Sequence, residues 1–113
     1  MAPRTAHEPE LTEGEAVAQF ERAVQEHPDA TSHFNLGSAY YAAHNLDAAQ
    51  KEFEQAVSLS PGLDHAHYYL GVIYKTHGEA DKARGELQKV LNGGAHMMLK
   101  NQAKIQLQAL NGK

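Results

Sequence analysis

Apolar residues recur every three or four positions along most of this chain, in runs broken at intervals by proline, glycine and asparagine. Ala16, Val17, Phe20, Ala23, Val24 and His27 fall on one face of a first helix, predicted over about residues 13–27. Thr12 and Glu15 supply its capping box, and Pro28 stops it. A pair of helices is predicted next, over about residues 30–43 and 46–59, with Asn45 as the N-cap of the second and Ser60-Pro61-Gly62 as the break. A further pair spans about residues 64–76 and 79–91, and Gly78 between them is the left-handed residue that lets the chain reverse. Beyond Asn92-Gly93-Gly94, Leu99, Ala103, Leu107 and Leu110 line one face of an amphipathic closing helix over about residues 96–110.

The two central pairs repeat each other. Leu36-Gly37-x-x-Tyr40 followed by Ala49-x-x-x-Phe53 returns 34 residues later as Leu70-Gly71-x-x-Tyr74 followed by Ala83-x-x-x-Leu87. A fixed period of this length, built from small and large apolar residues at constant offsets, signals stacked helix pairs. Gly37 and Gly71 are read as points where two helices cross closely, with Ala49, Ala56 and Ala83 keeping the facing helix equally near. Tyr40, Phe53, Tyr74 and Leu87 then fill the space left beside each crossing, so that a larger residue at Gly71 or Ala83 would overpack it.

These offsets resemble the tetratricopeptide repeat family, whose pattern sets Leu-Gly, Tyr, Ala, Phe, Ala and Pro at fixed places after a tryptophan. Leu36, Gly37, Tyr40, Ala49, Phe53, Ala56 and Pro61 match it in a first repeat over residues 30–63. Leu70, Gly71, Tyr74, Ala83 and Leu87 match it in a second over residues 64–97, which carries Val90 and Ala95 where the family favours alanine and proline. Both repeats replace the tryptophan, by His33 and His67. Residues 12–28, with Ala16, Phe20, Ala23 and Pro28, resemble the second half of a repeat, and residues 97–110 serve as a capping helix. The expected architecture is an all-α solenoid of antiparallel helix pairs, one domain over residues 12–110, between a flexible tail at 1–11 and a short tail at 111–113. Met1 and the weakening of the second repeat suit a small free-standing protein.

The resemblance implies that the first helix of each pair lines a concave face. The inward positions are then Thr31, Phe34, Ser38, Tyr41 and Ala42 in the first repeat and His65, Tyr68, Val72, Lys75 and Thr76 in the second. Their mixture of aromatic and hydrogen-bonding groups suits a peptide or helix of a partner protein; the alternative for Tyr41, Tyr68 and Val72 is packing between neighbouring helices. Some members of the family clamp a C-terminal carboxylate with Lys and Asn, but Phe34 and Ser38 stand at those places, so that activity is not expected here. Ala16, Phe20 and Ala23 form a second candidate surface, because the helix that would cover them is not encoded before them. Residues 1–11 fold back over this stripe, or it stays a small exposed patch, or another protein or a second protomer docks there, the last making a homo-oligomer or assembly subunit.

Composition narrows the functional classes. With 42% apolar and 21% charged residues and a net charge of -4, the chain reads as an ordinary globular domain without the basic stripe of a nucleic-acid binder. No stretch approaches a membrane span and the first ten residues lack the apolar core of a signal peptide, so a cytoplasmic location is expected. The absence of cysteine excludes disulfides and thiolate metal sites.

Eight histidines remain to be weighed. His65 and His67 diverge around their helix, and His33 and His67, though equivalent and able to approach across the stack, show no accompanying carboxylate pattern, so no metal site or cofactor is expected. Glu52, Glu54, Glu79 and Asp81 are read as solvated faces or helix-start charges. No phosphate loop or nucleophile elbow is present, and the reading is a non-enzymatic binding module.

Overall fold

Six helices follow one another along residues 12–112, the part of the chain that the computed structural model describes. They are α1 (Glu13–Glu26), α2 (Ala30–Ala42), α3 (Leu46–Leu59), α4 (Asp64–Thr76), α5 (Ala80–Asn92) and α6 (Met97–Asn111). Each end lies within one residue of the pattern-based expectation, and no strand occurs among the described residues. The tail expected at residues 1–11 lies outside them.

Local chemistry explains where the helices start and turn. The Thr12 hydroxyl accepts from the Glu15 amide at 3.1 Å while the Glu15 carboxylate accepts from the Thr12 amide at 3.0 Å, which closes the capping box. Asp29 and Asn45 accept from the amides of Ser32 and Ala48 at 2.8 and 3.3 Å and so satisfy free donors at the starts of α2 and α3. Within each pair the reversal uses a left-handed residue, Gly78 at φ 80° and, at the equivalent place, His44 at φ 64°. The Asn45 and Glu79 amides then donate back to the Tyr40 and Tyr74 carbonyls at 2.9 and 2.8 Å. The sequence signalled only the glycine. Histidine enters this region more readily than most side chains, and the bonds of the turn hold it there.

Packing begins at the two glycines. A Cβ on Gly37 would stand 2.9 Å from the Phe53 ring, and one on Gly71 would stand 2.6 Å from Leu87 Cγ, so only a bare backbone permits this approach. Around the crossings, Ala49, Phe53, Ala66, Leu70, Ile73, Tyr74 and Ala83 form one core, and Leu87, Val90, Leu99 and Ala103 continue it towards α6. Each large side chain so buried contributes about 1.5–3 kcal/mol of transfer free energy. No residue of α1 is fully buried.

The register is not constant. Helix α4 begins 34 residues after α2, but α6 begins 33 residues after α4. Ala103 therefore occupies the place of Leu36 and Leu70, and all three are buried. Lys104 takes the place of Gly37 and Gly71.

The same substitution should act in opposite directions at two glycines of the second pair. Gly71→Ala drives a methyl into Leu87 and is expected to cost about 1–3 kcal/mol. Gly85→Ala, inside α5 with open space around it, is expected to stabilise by about 0.5–1 kcal/mol. Urea unfolding followed by circular dichroism measures both.

Candidate functional site

The first helices of successive pairs lie side by side as one layer. Tyr69 of α4 joins it to α2, its ring centroid 6.3 Å from Phe34 and 5.0 Å from Tyr41, while its face stacks on Phe53 of α3 at 5.3 Å. Lys75 of α4 reaches α6, where its ammonium donates to the Gln106 side chain at 2.7 Å. Two hollows open on this layer. One, of about 310 Å³, is bordered by Phe34, Leu63, Asp64, His65, Gly94 and His96. The other, of about 210 Å³, is bordered by His65, Tyr68, Tyr69, Met98, Leu99 and Gln102, with His96 again at its edge. His65 and His96 border both, so the hollows adjoin and together make up a trough, with these two rings edge to face at 6.0 Å where its halves meet.

Behind the trough, the layers are pinned by polar pairs that recur with the repeat. His33 Nδ1 lies 2.7 Å from the Glu52 carboxylate and His67 Nδ1 lies 2.6 Å from that of Glu86, each bond joining the two helices of a pair. The Tyr40 hydroxyl donates to Glu21 at 2.7 Å and the Tyr74 hydroxyl to Glu54 at 2.6 Å, each bond joining a helix to the pair before it. His67 has a second acceptor, the Pro61 carbonyl, 2.7 Å from Nε2. The Pro61 carbonyl can only accept, so Nε2 carries a hydrogen, and the short bond at Nδ1 shares a proton between the ring and the Glu86 carboxylate.

The local electrostatics agree. The bond to Glu86, reinforced by the Pro61 carbonyl, holds the His67 pKa above its ordinary 6.5 although burial opposes it. Burial pushes Glu86 up, but the hydrogen bond from His67 and the nearby Lys89 ammonium outweigh it and leave the carboxyl below its ordinary 4.5. The bond to Glu21, with burial, pushes the Tyr40 phenol up to about 12. Burial and then the bond to Glu54 raise Tyr74 further.

Comparison with known proteins fits this arrangement. Residues 14–64 and 34–96 match the tetratricopeptide repeat family. The chain belongs to that family. Superkiller protein 3 of Saccharomyces cerevisiae is 30% identical over 91 residues, which are 80% of this chain and 6% of that protein. The TPR repeat-containing thioredoxin TTL4 of Arabidopsis thaliana is 35% identical over 74 residues, 65% of this chain and 11% of that protein. This chain thus spans only a small part of the curated relatives it matches. Among solved structures, MamA superposes with a TM-score of 0.76 at 23% identity, covering 88% of this chain and 57% of that one. The first TPR of Spaghetti (RPAP3) bound to the HSP90 peptide SRMEEVD superposes at 0.75 and 20% identity, covering 88% and 80%. At such identities the structural likeness shows the fold alone.

At the tetratricopeptide tryptophan place, His33 and His67 are held by glutamates of their own repeats and not by each other, which corrects the expectation that no carboxylate accompanies them. Glu52 and Glu54 are likewise partly buried partners of His33 and Tyr74, not solvated charges. Of the inward residues expected from the family, Phe34, His65 and Tyr68 border the trough. Tyr41 packs on Tyr69, and burial there raises its phenol pKa. Thr31 is exposed and Ser38 and Val72 are half-buried, none of them at the rim of either hollow, while Lys75 is engaged with Gln106. The trough adds Tyr69, His96, Met98 and Gln102, of which only Met98 stands at an expected inward place, that of His65, when Ala103 is aligned with Leu70. No helix among the described residues is long and apolar enough to cross a membrane.

The His67–Glu86 pair makes stability depend on pH from both sides. A raised histidine stabilises fully below 6.5 and loses its contribution as pH climbs through its folded pKa; a lowered carboxyl stabilises above 4.5 and loses its contribution as pH falls through its own. Relative to Glu86→Gln, the unsubstituted chain should therefore gain most between pH 4.5 and 6.5, by roughly 1–3 kcal/mol, and less on either side. Melting curves of both proteins across pH 3–9 check this.

Proposed function

We propose that the chain is a non-enzymatic interaction module or adaptor that holds a segment of a partner protein in the trough between α2, α4 and α6. The observation that carries this reading is a pair of adjoining hollows whose rim combines aromatic rings with imidazole and amide donors. Such a rim can bury apolar side chains while bonding to a peptide backbone. Helices locked by the glycine crossings and polar pairs keep the rim in place, so that little ordering entropy is lost on binding. A related fold engaged by a peptide, in the Spaghetti (RPAP3) structure, supports the same reading. Tyr68→Arg combined with His65→Glu should weaken partner retention at least tenfold in a pull-down, the loss expected for an anchor site, with helicity unchanged. Leu59→Glu, exposed on α3, should leave retention intact. Equal retention by all three proteins would overturn the reading.

A second reading, a self-associating assembly subunit, draws on the absence of any fully buried residue in α1. It requires the mass measured by light scattering to rise with protein concentration and to fall back after Phe20→Asp. A mass that stays monomeric at every concentration refutes it.

A further inference from the structure

The two junctions within the inner layer are built alike but filled differently. Between α2 and α4 the crevice is occupied by Tyr69, whose ring meets Phe34, Tyr41 and Phe53. Thirty-three residues on, in the register that pairs Leu70 with Ala103, the equivalent place in α6 belongs to Gln102. A glutamine brings no ring, and the crevice between α4 and α6 stays open as the 210 Å³ hollow. Its walls are what an aromatic ring packs against: Tyr68, Tyr69, Leu99 and Met98. Met98 is 72% exposed at its lip, and a flexible thioether adapts to whatever ring enters.

We propose that this crevice receives an aromatic side chain of the partner, which takes between α4 and α6 the place that Tyr69 takes between α2 and α4. The proposal rests on the trough reading above and adds the anchor's identity. Charge limits the segment that carries the anchor. Among the residues that border the two hollows the only charged side chain is the Asp64 carboxylate, and Lys75, Lys100 and Lys104 border neither, so an acidic segment would find no counter-charge there. The anchor therefore sits in a neutral or basic stretch.

The internal repeat also supplies the test. Gln102→Tyr should plug the crevice from within, as Tyr69 does next door, and raise the melting temperature while closing the pocket. Random 12-residue peptides displayed on phage and selected on the full chain are the probe. Selected peptides should share an aromatic residue among neutral or basic neighbours, and Gln102→Tyr should weaken them roughly tenfold or more, the loss expected when one anchor is excluded. Lys104→Tyr, which adds the same ring on another face of α6, should leave them bound. Peptides without an aromatic residue, or with acidic neighbours, would overturn the proposal. Peptides that are indifferent to Gln102→Tyr but lost with Tyr68→Arg would overturn the anchor and leave the trough reading standing. Peptides indifferent to both substitutions, or no peptides at all, would overturn both.

Discussion

Everything in this fold follows from how near two helices come at Gly37 and Gly71. With no side chain there, Phe53 and Leu87 lie directly against backbone, and Ala49, Ala56 and Ala83 bury completely. A helix pair packed this tightly has few ways to move internally, because interiors at crystal-like density transmit displacement instead of absorbing it. Rigid pairs can then be stacked side by side with a constant offset. The trough is a by-product of that stacking, since the layer that faces it inherits its spacing from the crossings behind.

The polar pairs do a different job. Apolar packing tolerates sliding, whereas a short bond between His67 and Glu86, or between Tyr74 and Glu54, sets one register of one helix on the next. Within a pair the bond is histidine to glutamate; between pairs it is tyrosine to glutamate. Position 33 and position 67, where the family carries a bulky indole, here exchange apolar volume for a directed bond. Stability then becomes sensitive to pH in a core that otherwise would not be.

Much of the architecture was legible in the sequence because it depends on backbone geometry. Only glycine allows the crossing at 37 and 71, only a capping side chain satisfies the amides after Thr12 and Asn45, and these residue types stand where the structure uses them. The polar pairs were not legible. Glu52 lies nineteen residues from His33, and a separation across a helical turnaround has no periodicity that marks it. The candidate site was read in part for a related reason. Phe34, His65 and Tyr68 follow from the 34-residue register, but the far wall of the trough lies in α6, where the register drops to 33 and the glycine that would announce it is replaced by Lys104.

That lysine also bears on how the ends of the stack behave. Helix α1 carries Ala16, Phe20 and Ala23 at the places where α3 carries Ala49, Phe53 and Ala56, so it has the form of a second helix awaiting a first. Helix α6 has the opposite form, and head-to-tail stacking of two copies would place one against the other as a composite pair. The crossing in such a pair falls at Lys104 and Phe20. Inside the chain, even a single methyl at that place would come within 2.6 to 2.9 Å of the facing side chain. A lysine stem is several times larger and carries a charge that would have to leave water, so it holds the two helices apart. Lys104 thus disfavours the stacking of a second copy's α1 on α6 by this route, and Met98 of α6 remains exposed beside the trough.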